Sequence, residues 1–337
     1  MLRHKKAMIF NCAGLGDAVM FTPALRKLKE IFPTCEISFV TNPFNVDALQ
    51  GLPYLKQVYA LGRKDTMAKL RLLPALSQQD YTIFTTWQPQ LVTAAQWFRV
   101  PHISGVAREK HRSEKVFKPA IRTWVLSTPE YAATVIAAQL GRALGVSLEI
   151  DAEQLDVALP SAVDRDTVEK LLREENGKAE QPYICLAPFT GVKEKNWPFS
   201  YVVELKKRLL DEWGLPVVLL GGKLDSAEAA GYGQGNLVGK TTLLQMIEVI
   251  KRARLFIGPD SGPMHVAAAV RTPSIALFSK DVPSRWAPRK NCKVVSLGLP
   301  CSPCGDEKAR ECSTLHCNKG ITTEMVAEAV REELTTL

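Results

Sequence analysis

The sequence predicts an α/β protein made of two doubly wound domains facing a cleft. Three observations predict this. Apolar runs of strand length alternate with helix-spaced segments in both halves of the chain, the order expected of parallel strands with crossover helices. A length of 337 residues accommodates about two domains. The alternation is interrupted once, by the acidic and irregular stretch Val146 to Pro160, which reads as an interdomain linker.

In the first half the strand candidates are Ala7–Cys12, Glu36–Thr41, Gln57–Ala60 and Thr82–Thr85. The helix candidates are Pro23–Ile31, Asn45–Leu49, Thr66–Leu73, Leu91–Phe98 and Glu130–Leu144. Ala24, Leu25, Leu28 and Ile31 recur at helical spacing, and Gly145 suits the position just past a helix end. The second half repeats the pattern. Strands are expected at Tyr183–Ala187, Pro216–Leu220, Leu255–Ile257 and Ser274–Phe278, and helices at Phe199–Glu212, Ser226–Ala230, Thr242–Lys251, Pro263–Val270 and Thr323–Leu334. The helix opening at Asp164-Arg165-Asp166 carries acids in its first turn, where they favour the helix dipole, and no metal is predicted from that spacing.

Composition narrows the function classes. A hydrophobic fraction of 46% supports a real core. No apolar stretch approaches the ~18–20 residues needed to cross a bilayer, and the short apolar segment after the basic N-terminus is not a signal h-region. A cytoplasmic protein is expected. The net charge is +8, from 43 Lys and Arg against 35 Asp and Glu. Arg108, Lys110, Arg112, Lys115, Lys118 and Arg122 concentrate it in one segment. Such a run is a solvated loop or a patch for phosphates on a lipid acceptor or anionic headgroups, where each basic residue contributes ~1 kcal/mol. Phe117 and Trp124 are too few aromatics for a base-stacking platform, so no nucleic-acid partner is expected.

Two loops carry the candidate chemistry. Gly258-Pro259-Asp260-Ser261-Gly262-Pro263-Met264-His265 lies between an apolar run and a helix of small residues. Asp260 and Ser261 can cap that helix, and its N-terminal N–H groups form an anion site. Asn11 to Leu25 forms the other loop, in which Gly14 and Gly16 permit a sharp turn and close approach of the backbone, with Asp17 at the helix junction. After Gly14 and Gly16 the third glycine of a dinucleotide fingerprint is missing and bulky Met20 and Phe21 follow, which disfavours a nicotinamide enzyme.

Taken together, three motifs resemble glycosyltransferase family 9, the lipopolysaccharide heptosyltransferases. They are Gly16-Asp17 with Thr22-Pro23-Ala24-Leu25, then Thr190 with Lys195-Asn196-Trp197-Pro198, then Asp260-Ser261-Gly262-Pro263-Met264-His265 with Ala267, Ala268 and Thr272-Pro273. They occur in family order along most of the chain. The resemblance implies a GT-B fold of two Rossmann-like domains, residues 1–155 binding the acceptor and 156–322 the nucleotide-sugar donor, with a last helix, 323–337, packing back on the first domain. It implies an inverting, metal-independent transfer of heptose from an ADP-heptose donor to the inner core of lipopolysaccharide, a phosphorylated glycolipid, at the cytoplasmic face of the inner membrane. By resemblance Asp17 is the general base. Thr190, Lys195, Asp225, Asp260, Ser261, Gly262, Met264 and His265 are donor-binding. Gly14, Gly16, Arg108, Lys110, Arg112 and Lys115 are assigned to the acceptor. Asp225, with Glu228 as rival, is the acid expected to read the ribose. Trp197 is expected in the core, and Lys195 is either a phosphate contact or one more solvated lysine.

Cys301-Ser302-Pro303-Cys304, followed by Cys312, His316 and Cys317, is compatible with reduced thiols, labile disulfides or a structural zinc ion. Two other functions remain open: a family 9 transferase with another nucleotide sugar or acceptor glycan, and a nucleic-acid-binding module built on the basic segment and the cysteines.

Overall fold

The computed structural model describes residues 4–86, 88–106, 121–124, 130–176 and 180–336. The chain divides into two compact units, Met1–Ala158 and Leu159–Leu337.

The first unit runs β1 (Lys6–Asn11), α1 (Leu15–Met20), α2 (Thr22–Ile31), β2 (Glu36–Thr41), α3 (Val46–Leu49), β3 (Gln57–Ala60), α4 (Thr66–Ser77), β4 (Tyr81–Phe84), α5 (Pro89–Trp97), β5 (His102–Val106), β6 (Ile121–Trp124) and α6 (Ala132–Leu144). Its six parallel strands stand in the order β3-β2-β1-β4-β5-β6. Strand β1 shows why the sheet is covered on both faces. Ala7 and Ile9 pack with Leu25, Leu28 and Leu140 on one side, while Met8 and Phe10 pack with Leu72, Leu76 and Leu91 on the other. Alternate side chains point to opposite faces, and both faces are buried, so the strand reads as a continuous apolar run.

Several expectations need correction here. Residues 15–20 form a helix where the sequence suggests a glycine loop. β5 and β6 escape a hydropathy reading because His102–Val106 is mixed in character and Ile121–Trp124 is four residues long with two adjacent polar residues at its centre. α4 continues past Leu73 through Pro74, because the added turn buries Leu76 on the same face as Leu72. Gly145 does close α6, with φ 70° and ψ 33°. The stretch read as a linker is largely a strap on the first unit. Thr22 Oγ1 accepts from Asp156 N at 2.9 Å, Asp156 Oδ2 accepts from Arg26 Nε at 3.0 Å and from Tyr54 OH at 2.9 Å, and Ala158 N donates to Ala48 O at 2.7 Å. The first compact unit therefore extends through Ala158.

The second unit runs α7 (Ala162–Asn176), β7 (Ile184–Leu186), α8 (Phe199–Trp213), β8 (Val217–Leu219), α9 (Leu243–Arg252), β9 (Leu255–Pro259), α10 (Gly262–Ala269), β10 (Ser274–Phe278), α11 (Pro283–Trp286), β11 (Cys292–Ser296), α12 (Gly305–Glu311), α13 (His316–Lys319) and α14 (Thr323–Thr336). Its five parallel strands lie in the order β11-β10-β9-β7-β8. Ile184, Leu186, Leu255, Ile257, Ile275 and Leu277 point into a core shared with α8 and α14. α10 packs on the sheet at β9 and β10 and against α9. Ser161 caps α7, its Oγ accepting from Asp164 N at 3.2 Å, and Asp164 Oδ2 in the first turn accepts in return from Ser161 N at 3.1 Å.

The last helix lies on this second sheet. Val326, Ala327 and Val330 are fully buried in the second unit's core, and α14 contacts α8, β10 and β11. Its apolar face is thus used within the core of the second unit. The expected helix Ser226–Ala230 is two short 3-10 turns, Lys223–Asp225 and Glu228–Tyr232, cut short by Gly233 at φ 77°. Among the described residues no helix is long and apolar enough to cross a membrane.

Candidate functional site

In the second unit the chain direction across the sheet reverses between β7 and β9, the position where open parallel sheets bind ligands at the carboxyl ends of their strands. Three loops leave those ends. The loop after β7 carries Thr190 and Lys195, the loop after β9 carries Asp260 and Ser261, and the loop after β10 carries Lys280 and Asp281. They converge on one ion cluster. Lys195 Nζ donates to Asp260 Oδ2 at 2.8 Å and to Asp281 Oδ2 at 3.0 Å. Lys280 Nζ donates to Asp281 Oδ1 at 3.2 Å and Oδ2 at 3.0 Å. The Lys195 side chain is only 13% exposed, which rules out a solvated surface lysine.

Two lysines and two aspartates balance in charge, and the surroundings treat the two acids differently. Burial pushes the Asp260 carboxyl above its ordinary range, against the attraction of Lys195. Burial also opposes the charge on Asp281, but Lys195 and Lys280 together hold it below the ordinary carboxylate range. A lysine held between two carboxylates inside a largely dry loop cluster is a preformed cation that an incoming phosphate can take over.

α10 begins beside this cluster. Ser261 is its N-cap in extended backbone, yet no side chain caps the helix. Asp260 is committed to Lys195 instead, so the expected capping role of both residues is corrected. Ser261 Oγ and His265 Nδ1 are buried with no hydrogen-bond partner among the described residues. Two orphaned polar atoms at a helix N-terminus are costly unless a ligand supplies partners, and the helix dipole there favours an anion. His265 is 2% exposed, and burial followed by the charge of Lys195 lowers its pKa to about 4, so its ring is neutral near pH 7. Gly262 opens the helix, and Met264 is fully buried with its N–H turned to Ser261 O at 3.1 Å, so Met264 contributes packing at this end.

Thr190 works on its own turn. Its hydroxyl donates to Val192 O at 2.6 Å, and its N–H donates to Asn196 Oδ1 at 2.7 Å. Asp225 likewise closes its own turn, Oδ2 accepting from Gly222 N at 2.8 Å. Trp197 is a core residue, 1% exposed, whose Nε1 donates to Ile321 O at 2.9 Å.

In the first unit the strand order reverses between β1 and β4, and the loop after β1 leads to Asp17. That loop is pinned from two neighbouring strand ends. Asn11 Nδ2 donates to Thr85 Oγ1 at 3.1 Å, Cys12 N to Thr86 Oγ1 at 3.0 Å, and Asn45 Nδ2 to Ala13 O at 3.1 Å. Gly14 caps α1 in extended backbone, with φ −69° and ψ 172°, and Gly16 is buried within the helix. The turn into α1 therefore needs no left-handed residue at either glycine. Asp17 lies in the first turn of α1, half-buried, with its Oδ2 close to Gly14. The basic residues Arg108, Lys110, Arg112 and Lys115 lie outside the described residues.

Sequence reasoning missed Asp281, Lys280 and Asn318. The first two follow an apolar strand directly, the same placement that singles out Asp260, and that signal could have found them. Asn318, in α13, donates to Glu194 O at 2.9 Å and Asn196 O at 2.8 Å, and nothing in the local sequence marks it.

The cysteine segment forms a cavity of about 370 Å³ lined by Cys301, Cys304, Cys312, Cys317, His316 and, on the nucleotide-loop side, Glu194 and Lys280. Cys301, Cys312 and Cys317 form no disulfide in this structure. Burial, then the neighbouring Cys304, Cys301 and Cys312 sulfurs, raises the Cys317 pKa. The thiols are thus near one another, but among the described residues no three His, Cys, Asp or Glu side chains form a group able to hold a metal ion.

The model of glycosyltransferase family 9 (heptosyltransferase) matches residues 70–315. Lipopolysaccharide heptosyltransferase 3 of Escherichia coli is 25% identical over 295 residues, covering 82% of this chain and 84% of that protein. Two solved structures share the fold across both units. The glycosyl transferase family 9 protein of Veillonella parvula superposes with a TM-score of 0.85 at 17% identity, over 100% of this chain and 99% of that one. The E. coli ADP-heptose lipopolysaccharide heptosyltransferase II superposes with a TM-score of 0.74 at 19% identity, over 98% of this chain and 99% of that one. Two doubly wound units of the GT-B class, with the family match spanning most of the chain, identify this protein as a glycosyltransferase belonging to family 9.

Proposed function

We propose that this glycosyltransferase moves a heptose, with inversion, from an ADP-heptose donor to the inner core of lipopolysaccharide, acting as a peripheral protein at the cytoplasmic face of the inner membrane. The observation that carries the reading is the buried Lys195 held between Asp260 and Asp281 beside the uncapped N-terminus of α10. The donor and the acceptor class follow from relatives named for ADP-heptose and for lipopolysaccharide.

The reaction assigns separate tasks to the two units. An acceptor hydroxyl attacks the anomeric carbon and gives its proton to Asp17, a step for which a positioned base contributes ~10²–10⁴-fold. The bond from that carbon to the β-phosphate oxygen breaks, and its electron pair leaves with ADP. Lys195 turns from the carboxylates to the diphosphate, and the dipole of α10 with Ser261 Oγ and His265 takes up the remaining charge. Asp260, released from Lys195, accepts a hydroxyl of the sugar. No divalent ion is required, because Lys195 and the helix N-terminus supply the positive potential. Gly14, Gly16, Arg108, Lys110, Arg112 and Lys115 serve the phosphorylated acceptor, and Asp225 the ribose.

Turnover of ADP-heptose with a lipopolysaccharide-core acceptor, in the presence of EDTA, tests the reading. Asp17→Ala is expected to reduce kcat by at least a hundredfold while changing ADP affinity less than twofold. Full activity in that variant removes Asp17 from the base role, and transfer only from UDP- or GDP-sugars replaces the donor.

A further inference from the structure

The loop that carries Lys195 is held by a residue from the opposite end of the unit's sequence. Asn318, in the four-residue helix α13, is 5% exposed, and its side-chain nitrogen donates both hydrogens, one to Glu194 O at 2.9 Å and one to Asn196 O at 2.8 Å. These are the carbonyls on either side of Lys195. Both neighbours are acceptors, so only the NH2 end of the amide can face them, and the orientation follows from chemistry. Two residues along, Trp197 Nε1 donates to Ile321 O at 2.9 Å, which makes a second strap between the same two segments. Thr190 Oγ1 and Asn196 Oδ1 brace the loop from within.

A lysine side chain has four rotatable carbons and loses much freedom when its ammonium is fixed. Fixing the backbone on both sides of Lys195 lowers that loss, because the ammonium then needs only its own rotamers to reach Asp260 and Asp281 at 2.8 and 3.0 Å. Geometry errors of about 1 Å at such a group cost on the order of a hundredfold in rate. Asn318 touches neither carboxylate in any hydrogen bond seen here, so its effect is routed through the Lys195 backbone.

We propose that Asn318 is a positioning residue for the transfer reaction: by hydrogen-bonding both carbonyls that flank Lys195, it sets the ammonium where the nucleotide diphosphate must meet it. The proposal rests on the reading of Lys195 as the phosphate contact.

The test is a double-mutant cycle on ADP affinity, measured by calorimetry on the full chain below the melting temperature of every variant. Asn318→Ala removes both donors, and Asn318→Asp keeps the shape of the side chain but presents oxygens to the two carbonyls. Each is expected to weaken ADP binding by about tenfold or more. In a Lys195→Ala background the same changes are expected to cost less than twofold, a non-additivity that a general loss of stability does not produce. An equal loss in both backgrounds overturns the positioning role, as does unchanged ADP affinity in the Asn318 variants while Lys195→Ala alone weakens binding. If Lys195→Ala itself leaves ADP affinity unchanged, the phosphate reading fails and this inference with it. Should both Asn318 variants fail to fold, Trp197→Phe decides the question. It keeps an aromatic filler, removes the strap to Ile321, and is expected to weaken ADP binding only when Lys195 is present.

Discussion

At the residue scale, His265 is the most sensitive reporter of the site's dryness. Its pKa is lowered to about 4 by burial and by the charge of Lys195. The folded value lies below the unfolded value of about 6.5, so the folded state binds fewer protons. The stability that goes with a neutral His265 is fully present above pH 6.5 and is lost as pH falls from there through 4. The shift corresponds to about 3 kcal/mol over that window. His265→Gln, which does not titrate, is expected to show a shallower decline in melting temperature between pH 6.5 and 4 than the unmodified protein. Identical slopes in the two proteins place the acid sensitivity elsewhere. Asp17, Lys195 and Asp260 were singled out by the family motifs they match, and the structure joins two of them, Lys195 and Asp260, in one ion cluster. Asn318 was not singled out, because its role exists only through contact with a segment more than a hundred residues away. The ribose assignment of Asp225 came from family resemblance, and in the structure one oxygen of its carboxylate is bonded to its own turn at Gly222.

At the element scale, the site depends on how closely β9 approaches β7. Gly258 lies in β9, two residues before Asp260, and a Cβ placed there meets Ala187 O at 2.9 Å and Phe256 Cζ at 3.0 Å. The first of these atoms is backbone and cannot swing away. Gly258→Ala is expected to force the strands apart, to destabilise the protein by about 1–3 kcal/mol in chemical denaturation, and to weaken nucleotide binding through Asp260. Unchanged stability means the strands yield without effect on the sheet. Elements with a continuous apolar run, such as β1, β2 and β10, were readable almost to the residue, since both faces of a parallel sheet bury them. β5, β6 and β11 were not, because they are short and mixed in character and take their strand identity from pairing with a neighbour. Helix α1 was hidden by Gly14 and Gly16, residues of poor helix propensity that its buried Ala18, Val19 and Met20 override.

At the scale of the whole molecule, each unit has its own sheet and core, and the residues named for the candidate nucleotide site lie in the second. Lys195, Asp260, Ser261, His265, Asp281 and Asn318 all fall within Leu159–Leu337. Residues 159–337 produced alone are therefore expected to fold cooperatively and to bind ADP within about threefold of the full chain, with no transfer activity because Asp17 is absent. Loss of ADP binding in a folded second unit means that the first unit supplies part of that site. The alternation of elements along the chain made the two-unit architecture legible. The place of the last helix was not, since an amphipathic helix read from sequence shows that it has an apolar face and not which core receives it. The same limit applies to the stretch before Ala158, whose acidic residues read as a linker until Asp156 is seen holding Arg26 and Tyr54.

On the proposed reading, the loops after β7, β9 and β10 form a metal-independent site for the diphosphate of an adenine nucleotide. Calorimetric titration of ADP, UDP, GDP and NAD into the protein and into Lys195→Ala, each with and without EDTA, tests it most directly. Preference for ADP, the same affinity with EDTA present, and at least a tenfold loss in Lys195→Ala are expected. ADP binding that vanishes with EDTA, or that is unchanged without Lys195, contradicts it.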